Sequence, residues 1–323
     1  MNETEQFAPI PYQKIDFKDG SVEIPTKPLC DIEQIHAAQE IVDQNYPELA
    51  SMLREGHPWR EMKNLHALQT QEQSMDVLVE EIGFDLNDPN ARLAIFISEI
   101  HDLGRVIDGL KNEKLPIPQE FEGLAHHGQF SVKILEEWHA LDGFPAETQE
   151  IIKFAVEHHA NKSTAALPEN ASDLQKTEYV YNCIFRDIDK LTLLVGKGEK
   201  YLYDPKVRSD QFNIVKGKVG QDEAGNERFL GENGQVTQEA MDLFLNNKLN
   251  DVNKLFTYET YMLNVLGFIF DINLVGVLKN VAESGIVEKF LNYFEQRLST
   301  DQFQAINQKV HSYLEERGIE LSE

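Results

Sequence analysis

Three features of the sequence predict a mostly helical protein. Apolar residues recur at three-to-four spacing from Asp31 to about residue 195. The same period returns from Thr237 to the C-terminus. Strand-like alternation is confined to short runs such as Ser21-Val22-Glu23-Ile24. Hydrophobic residues make up 41% of the 323 positions and 18 of them are Phe, enough for one large or two modest cores. There is no internal repeat and no low-complexity tract.

Each segment follows from local pattern. Residues 1–30, with Pro9, Pro11, Pro25 and Pro28, read as an N-terminal extended arm or small strand pair. Ile32, Ile35, Ala38 and Ile41-Val42 then mark the first helix. Leu65, Leu68, Met75, Leu78, Val79 and Ile82 form a second stripe over 64–82. Asp85 to Pro89 is a turn suited to capping the next helix, 91–103, which is apolar on nearly all sides and therefore central. Further helices are predicted at 127–140, 146–160 and 173–195.

Seven glycines fall between Gly196 and Gly234, which predicts a loop or β-hairpin insertion over 196–235. Residues 236–323 read as C-terminal helices packed on the core, with a last helix near 303–316. The apolar stretch from Tyr261 to Leu278 is interrupted by Asn264, Asp271 and Asn273, so it is read as a buried helix pair and not a membrane span. The stripe of Phe244, Leu255, Phe268, Phe270, Phe290 and Phe294 is read as core, with a homodimer face as the other use.

Thirty basic residues against 55 acidic ones give a net charge of −25. Such a surface argues against polymeric nucleic acid as a partner, since counterion release from phosphate requires Lys and Arg. Cys30 and Cys183 have no metal-ligand spacing. The acidic start, Met1-Asn2-Glu3-Thr4-Glu5, lacks the basic and apolar regions of a secretory signal, so a cytoplasmic protein is expected.

Histidine is distributed unevenly. Seven of the ten lie between 66 and 159. His101-Asp102 closes the apolar helix, placing two metal-competent side chains together, and a carboxylate can bridge two cations. His66 precedes it on a helix with a polar local face (Gln69, Thr70, Gln73). His127 opens a later helix, with His126 as the alternative, and His158-His159 ends an apolar one. Asp187 and Asp189 follow inside an otherwise apolar run, where acids must be paired or bind metal. Helical phase alone favours Asp187.

The order His, His-Asp, His, His, Asp, together with His101-Asp102-Leu103-Gly104-Arg105 and Arg186-Asp187-Ile188-Asp189-Lys190-Leu191, resembles the HD-domain superfamily of metal-dependent phosphohydrolases over residues 60–195. The resemblance implies an all-α HD-domain helical bundle over 31–195. It implies one metal on His66, His101, Asp102 and Asp189 (or Asp187), and a second held by His127 and His158 with Asp102 bridging. The family pattern favours Asp189, followed by Lys190-Leu191. His159 is expected to complement His158 on a metal or at the substrate. The Gly-Tyr-Pro segment of the cyclic-dinucleotide subgroup is absent after His158-His159.

The cofactor expected is one or two divalent transition metals (Mn, Fe, Co, Ni or Zn), because a mixed His/Asp shell suits these over Mg or Ca. The reaction expected is hydrolysis of a phosphomonoester or phosphodiester of a small molecule, such as a nucleotide, by a water that the metals acidify. Asp102, Arg105 and Lys190 are the catalytic candidates; Arg105, Lys190 and His159 are the candidates for holding the phosphoryl group. Two other readings are a di-iron oxygenase with the same ligand order and a non-catalytic nucleotide-binding module.

Overall fold

The computed structural model describes residues 12–55, 57, 60, 85–161, 164, 166–203, 236–249 and 257–321. The expected helix over 64–82, and with it His66, lies outside the described residues, as does 204–235 of the expected insertion. Among the described residues the fold is helical apart from one hairpin, the all-α class that the sequence predicts.

The hairpin pairs β1 (Tyr12–Phe17) with β2 (Gly20–Pro25) in antiparallel register from Tyr12 opposite Pro25 to Phe17 opposite Gly20. Gly20 closes the turn at φ +139°, a conformation that residues with a Cβ rarely adopt. Ile15, Phe17 and Ile24 point into the main core. The arm is thereby part of the globule.

Helix α1 (Ile32–Ser51) begins with a capping box in which Asp31 accepts from the Gln34 backbone and Gln34 answers to Asp31. Helix α2 (Pro89–Ile100) starts as the sequence predicts: the Asp88 carboxylate accepts from Asn90 N, and Pro89 occupies the first turn, where no N–H is needed. Its Leu93, Phe96, Ile97 and Ile100 are fully buried. At roughly 1.5–3 kcal/mol for each large apolar side chain removed from water, this short helix anchors the bundle.

Around it lie α3 (Arg105–Asn112), α4 (His127–Glu137), α5 (Ala146–His158) and α6 (Asp173–Leu191). Helix α6 continues as a π turn, Thr192–Gly196, and the chain then forms the short α7 (Gly198–Tyr203). The C-terminal part comprises α8 (Gln238–Leu245), α9 (Tyr258–Leu266), α10 (Val275–Glu283), α11 (Ile286–Glu295) and α12 (Thr300–Glu315). Among the described residues no helix is long and apolar enough to cross a membrane. The apolar stretch 261–278 is instead split between α9 and α10 by a 3-10 turn, Gly267–Asp271.

Buried charge joins the C-terminal helices to the bundle. Asp271 Oδ2 lies 2.6 Å from Arg186 Nη2 and 3.1 Å from Lys190 Nζ. Asp187 accepts from Asn273 N and Nδ2, both at 2.8 Å, and from Leu274 N at 2.6 Å. It thus satisfies N–H groups at the start of α10 that have no intrahelical partner. The hairpin reaches the same strip, because Lys18 N donates to Asn273 O at 2.7 Å.

Candidate metal centre

The site is assembled where α2 ends. His101 and Asp102 follow its last turn, and the tight turn to α3 is clamped by Ser131 of α4. The Ser131 hydroxyl donates to His101 O (2.5 Å) and accepts from Gly104 N (2.8 Å). A Cβ on Gly104 would stand 2.1 Å from His127 O, and one on Gly128 would stand 2.5 Å from Glu157 O. These two glycines therefore set the spacing. Gly104 lets α4 rest on the His101-Asp102 turn, and Gly128 lets the end of α5 rest on α4.

That close packing brings three imidazoles around one carboxylate. Asp102 Oδ2 is 3.4 Å from His101 Nε2, while Oδ1 is 3.4 Å from His127 Nε2 and 3.6 Å from His159 Nε2. The ligand atoms offered by His101, Asp102 and His159 all lie within 4.8 Å of one another. Each ring is oriented through its other nitrogen. His101 Nδ1 faces Ser98 O at 2.7 Å, His159 Nδ1 faces Val156 O at 2.6 Å, and His127 Nδ1 faces Asp108 Oδ2 at 3.4 Å.

A carbonyl or carboxylate can only accept, so each Nδ1 carries a proton and each Nε2, when its ring is neutral, offers a lone pair on the side of Asp102. The Nε2 atoms of His127 and His159 are only 2.9 Å apart. Two lone pairs at that distance repel unless a proton or a cation lies between them. Donor types, tautomers and convergence all fit a divalent transition metal.

The electrostatics agree at His127, His159 and Asp102. Burial, then Arg105, pushes the His127 pKa down to about 3, and burial likewise lowers that of His159. For His101 burial acts downward, but Asp102 outweighs it and the net direction is upward. Burial also opposes ionisation of Asp102, yet Arg105 and His101 hold it well below the usual carboxylate range. Neutral imidazoles and an ionised carboxylate are the forms in which these groups bind metal. Arg105 Nε donates to Asp102 Oδ1 at 3.0 Å, and Nη1 lies 3.9 Å from Asp108 Oδ2.

The structure separates the alternatives that spacing leaves open. His127 is at Asp102, while the half-buried His126 interacts electrostatically with Glu157, Asp108 and His158. Of the adjacent pair, His159 and not His158 enters the cluster. His158 lies back along α5 with its ring 4.3 Å from that of Phe154. Asp187 caps the start of α10, whereas the charge of Asp189 acts on His101, Arg105, His159 and Lys197.

Lys190 is corrected outright. Its ammonium is buried against Asp271 and donates to Arg186 O at 3.2 Å, so it cannot face the centre. One turn earlier, Arg186 donates from Nη1 to His159 O (2.9 Å) and Asn161 O (2.5 Å), with His158 O at 3.3 Å, and so fixes the end of α5 that carries His159. The sequence reading missed Ser131, Asp108 and the anchoring role of Arg186. Only Asp108 left a local signal, standing i+3 from Arg105 on α3.

A family model described as "HD domain" matches residues 54–194. The matched segment is an HD domain, of a superfamily whose members are generally metal-dependent phosphohydrolases. The matched segment contains every residue of the cluster, and His66 within it lies outside the described residues. No curated protein and no solved structure matches the chain.

The glycine packing is testable. Gly128→Ala places a methyl against the carbonyls of Val156 and Glu157, which are backbone and cannot rotate away. It is expected to cost about 1–3 kcal/mol of stability. It should also lower metal affinity, because α4 and α5 must separate and carry His127 and His159 with them. Thermal melting of the metal-free and metal-loaded protein reads both effects.

Proposed function

We propose that the chain is a metal-dependent phosphohydrolase acting on a phosphomonoester or phosphodiester of a small molecule such as a nucleotide. The observation that carries this reading is the convergence of three locked imidazoles on Asp102 beside the guanidinium of Arg105. In it, His101, Asp102, His127 and His159 hold the metal, with Asp189 alongside. Mn, Fe, Co, Ni and Zn suit this shell. When bound, a divalent cation there supplies Lewis-acid polarisation of a phosphoryl oxygen and acidifies a water.

The protein's own groups do the remaining work. Asp102 and Asp108 hold Arg105 at the edge of the cluster, where its side chain is 27% exposed. Its remaining N–H groups are placed to hold the oxygens of a phosphoryl group approaching from solvent. Asp108 also fixes the ring of His127, so a single residue of α3 orients both a ligand and the anion-binding cation. Ser98 O and Val156 O keep His101 and His159 from rotating, which preserves the donor geometry through turnover.

Metal analysis of protein purified without added metal, combined with a panel of phosphomonoesters, phosphodiesters and nucleotides, tests this function. The expected result is a bound transition metal and phosphate or alcohol release that stops on chelation. Iron with O₂ consumption and no phosphate release would contradict it. At the residue level, His159→Ala is expected to lower metal affinity by at least about tenfold, while His158→Ala leaves it within about twofold. Calorimetric titration of each variant with Mn or Zn reads the difference.

A further inference from the structure

Asp271 ends the 3-10 turn, Gly267–Asp271, and lies beyond the segment 54–194 that the family model matches. Three other elements hold that turn in place. Lys18 of the hairpin donates from Nζ to Phe270 O at 2.9 Å, and Tyr313 of α12 donates to the same carbonyl at 3.4 Å. Asp187 of α6 accepts from the N–H groups of Asn273 and Leu274 just after it. Asp271 is therefore presented to α6 at a fixed place, where its Oδ2 receives Arg186 Nη2 at 2.6 Å. A guanidinium is a planar fork, so the carboxylate that holds one arm sets where the other arm points. The other arm, Nη1, points at the carbonyls of His158, His159 and Asn161. A helix end offers carbonyls that lack intrahelical donors, and Arg186 supplies one to the end of α5. The His159 ring belongs to this same turn, because its Nδ1 faces Val156 O. The chain after α5 is tied to the same place, with Thr164 Oγ1 donating to Asn273 Oδ1 at 3.3 Å.

We propose that Asp271 is a positioning residue of the metal centre: through Arg186 it fixes the last turn of α5 and with it the place of His159 Nε2. This rests on the metal-binding part of the reading above. Asp271 acts through Arg186 and is not itself a ligand. Metal–ligand distances are confined to about ±0.2 Å, so a small drift of the α5 end is felt at the metal. The C-terminal helices are on this account part of the centre, since one of them supplies the approach to the carboxylate that aims Arg186. The coupling is reciprocal: a metal that holds His159 in place also favours the docked turn at Asp271.

The test is Co(II) binding to the metal-free full chain, read by titration and by the visible spectrum of the bound ion. The proteins compared are the wild type, Asp271→Asn, Asp271→Glu and Val287→Ala, the last a core truncation on α11 away from Arg186. Asp271→Asn is expected to bind Co(II) about tenfold more weakly, with shifted d–d bands, because one imidazole no longer sits where the ion needs it. Asp271→Glu keeps the charge and should recover part of the affinity. Val287→Ala should melt earlier yet keep the affinity within about twofold and the wild-type spectrum. A folded Asp271→Asn with wild-type affinity and spectrum would overturn the positioning role and leave the metal site standing. An equal loss in Val287→Ala would overturn it too, since the effect would then be general loosening of the C-terminal helices. If Asp271→Asn does not fold, Arg186→Met combined with Asp271→Leu removes both charges of the pair at once and is read in the same way. A wild type that binds no Co(II) would bring down the metal-binding reading as well.

Discussion

Replacing Asp102 with Ala is expected to release the metal and to lower turnover about a thousandfold or more. Asp102 is the common neighbour of all three imidazoles, through Oδ2 to His101 and Oδ1 to His127 and His159. Without its charge the remaining ligands are neutral rings, which hold a divalent cation far more weakly. The fold should survive. Arg105 loses its partner but is 27% exposed, and Asp108 Oδ2 lies 3.9 Å from its Nη1, so the guanidinium can turn to a second acid or to water. Asp102→Asn separates charge from shape by keeping an acceptor for Arg105 Nε. Metal content and kcat should fall in both variants, while the near-UV circular dichroism of the metal-free protein stays that of the wild type.

The second large effect is structural. Arg186→Met is expected to destabilise the protein by about 3–5 kcal/mol, because it breaks a buried charge network by removing one member. The Arg186 side chain is 1% exposed and spans four acceptors: the carbonyls of His158, His159 and Asn161, and the Asp271 carboxylate. Its removal frees both the end of α5 and the turn before α10. Arg186→Lys should rescue little, since an ammonium cannot reproduce a planar fork that meets carbonyls on one side and a carboxylate on the other. Chemical denaturation of the metal-free protein gives the stability change. Metal titration of the folded fraction should show weakened binding, as the anchor behind His159 is lost.

These two residues also mark what the sequence could and could not disclose. His101-Asp102 was legible because two polar residues interrupt an apolar helix, and that contrast is local. The helices were legible from their period and caps, as at Asp88-Pro89. The choice between His158 and His159 was not, because adjacent residues on a helix differ by ~100° in direction and only the packing of α5 against Gly128 decides which one faces Asp102. The roles of Lys190 and Asp187 were out of reach for a related reason. Their partners, Asp271 and Asn273-Leu274, lie more than 80 residues away in the chain and on a separate helix pair. Helical phase correctly found Asp187 to be buried, but burial here serves the start of α10.

The most direct test is anomalous diffraction from crystals of the full chain grown with Mn or Zn. The predicted result is a peak enclosed by the His101 and His159 rings and the Asp102 carboxylate, adjoining His127 and lost in Asp102→Ala. A metal-saturated crystal with no peak there, or with the metal seated on His158 in place of His159, would contradict the account.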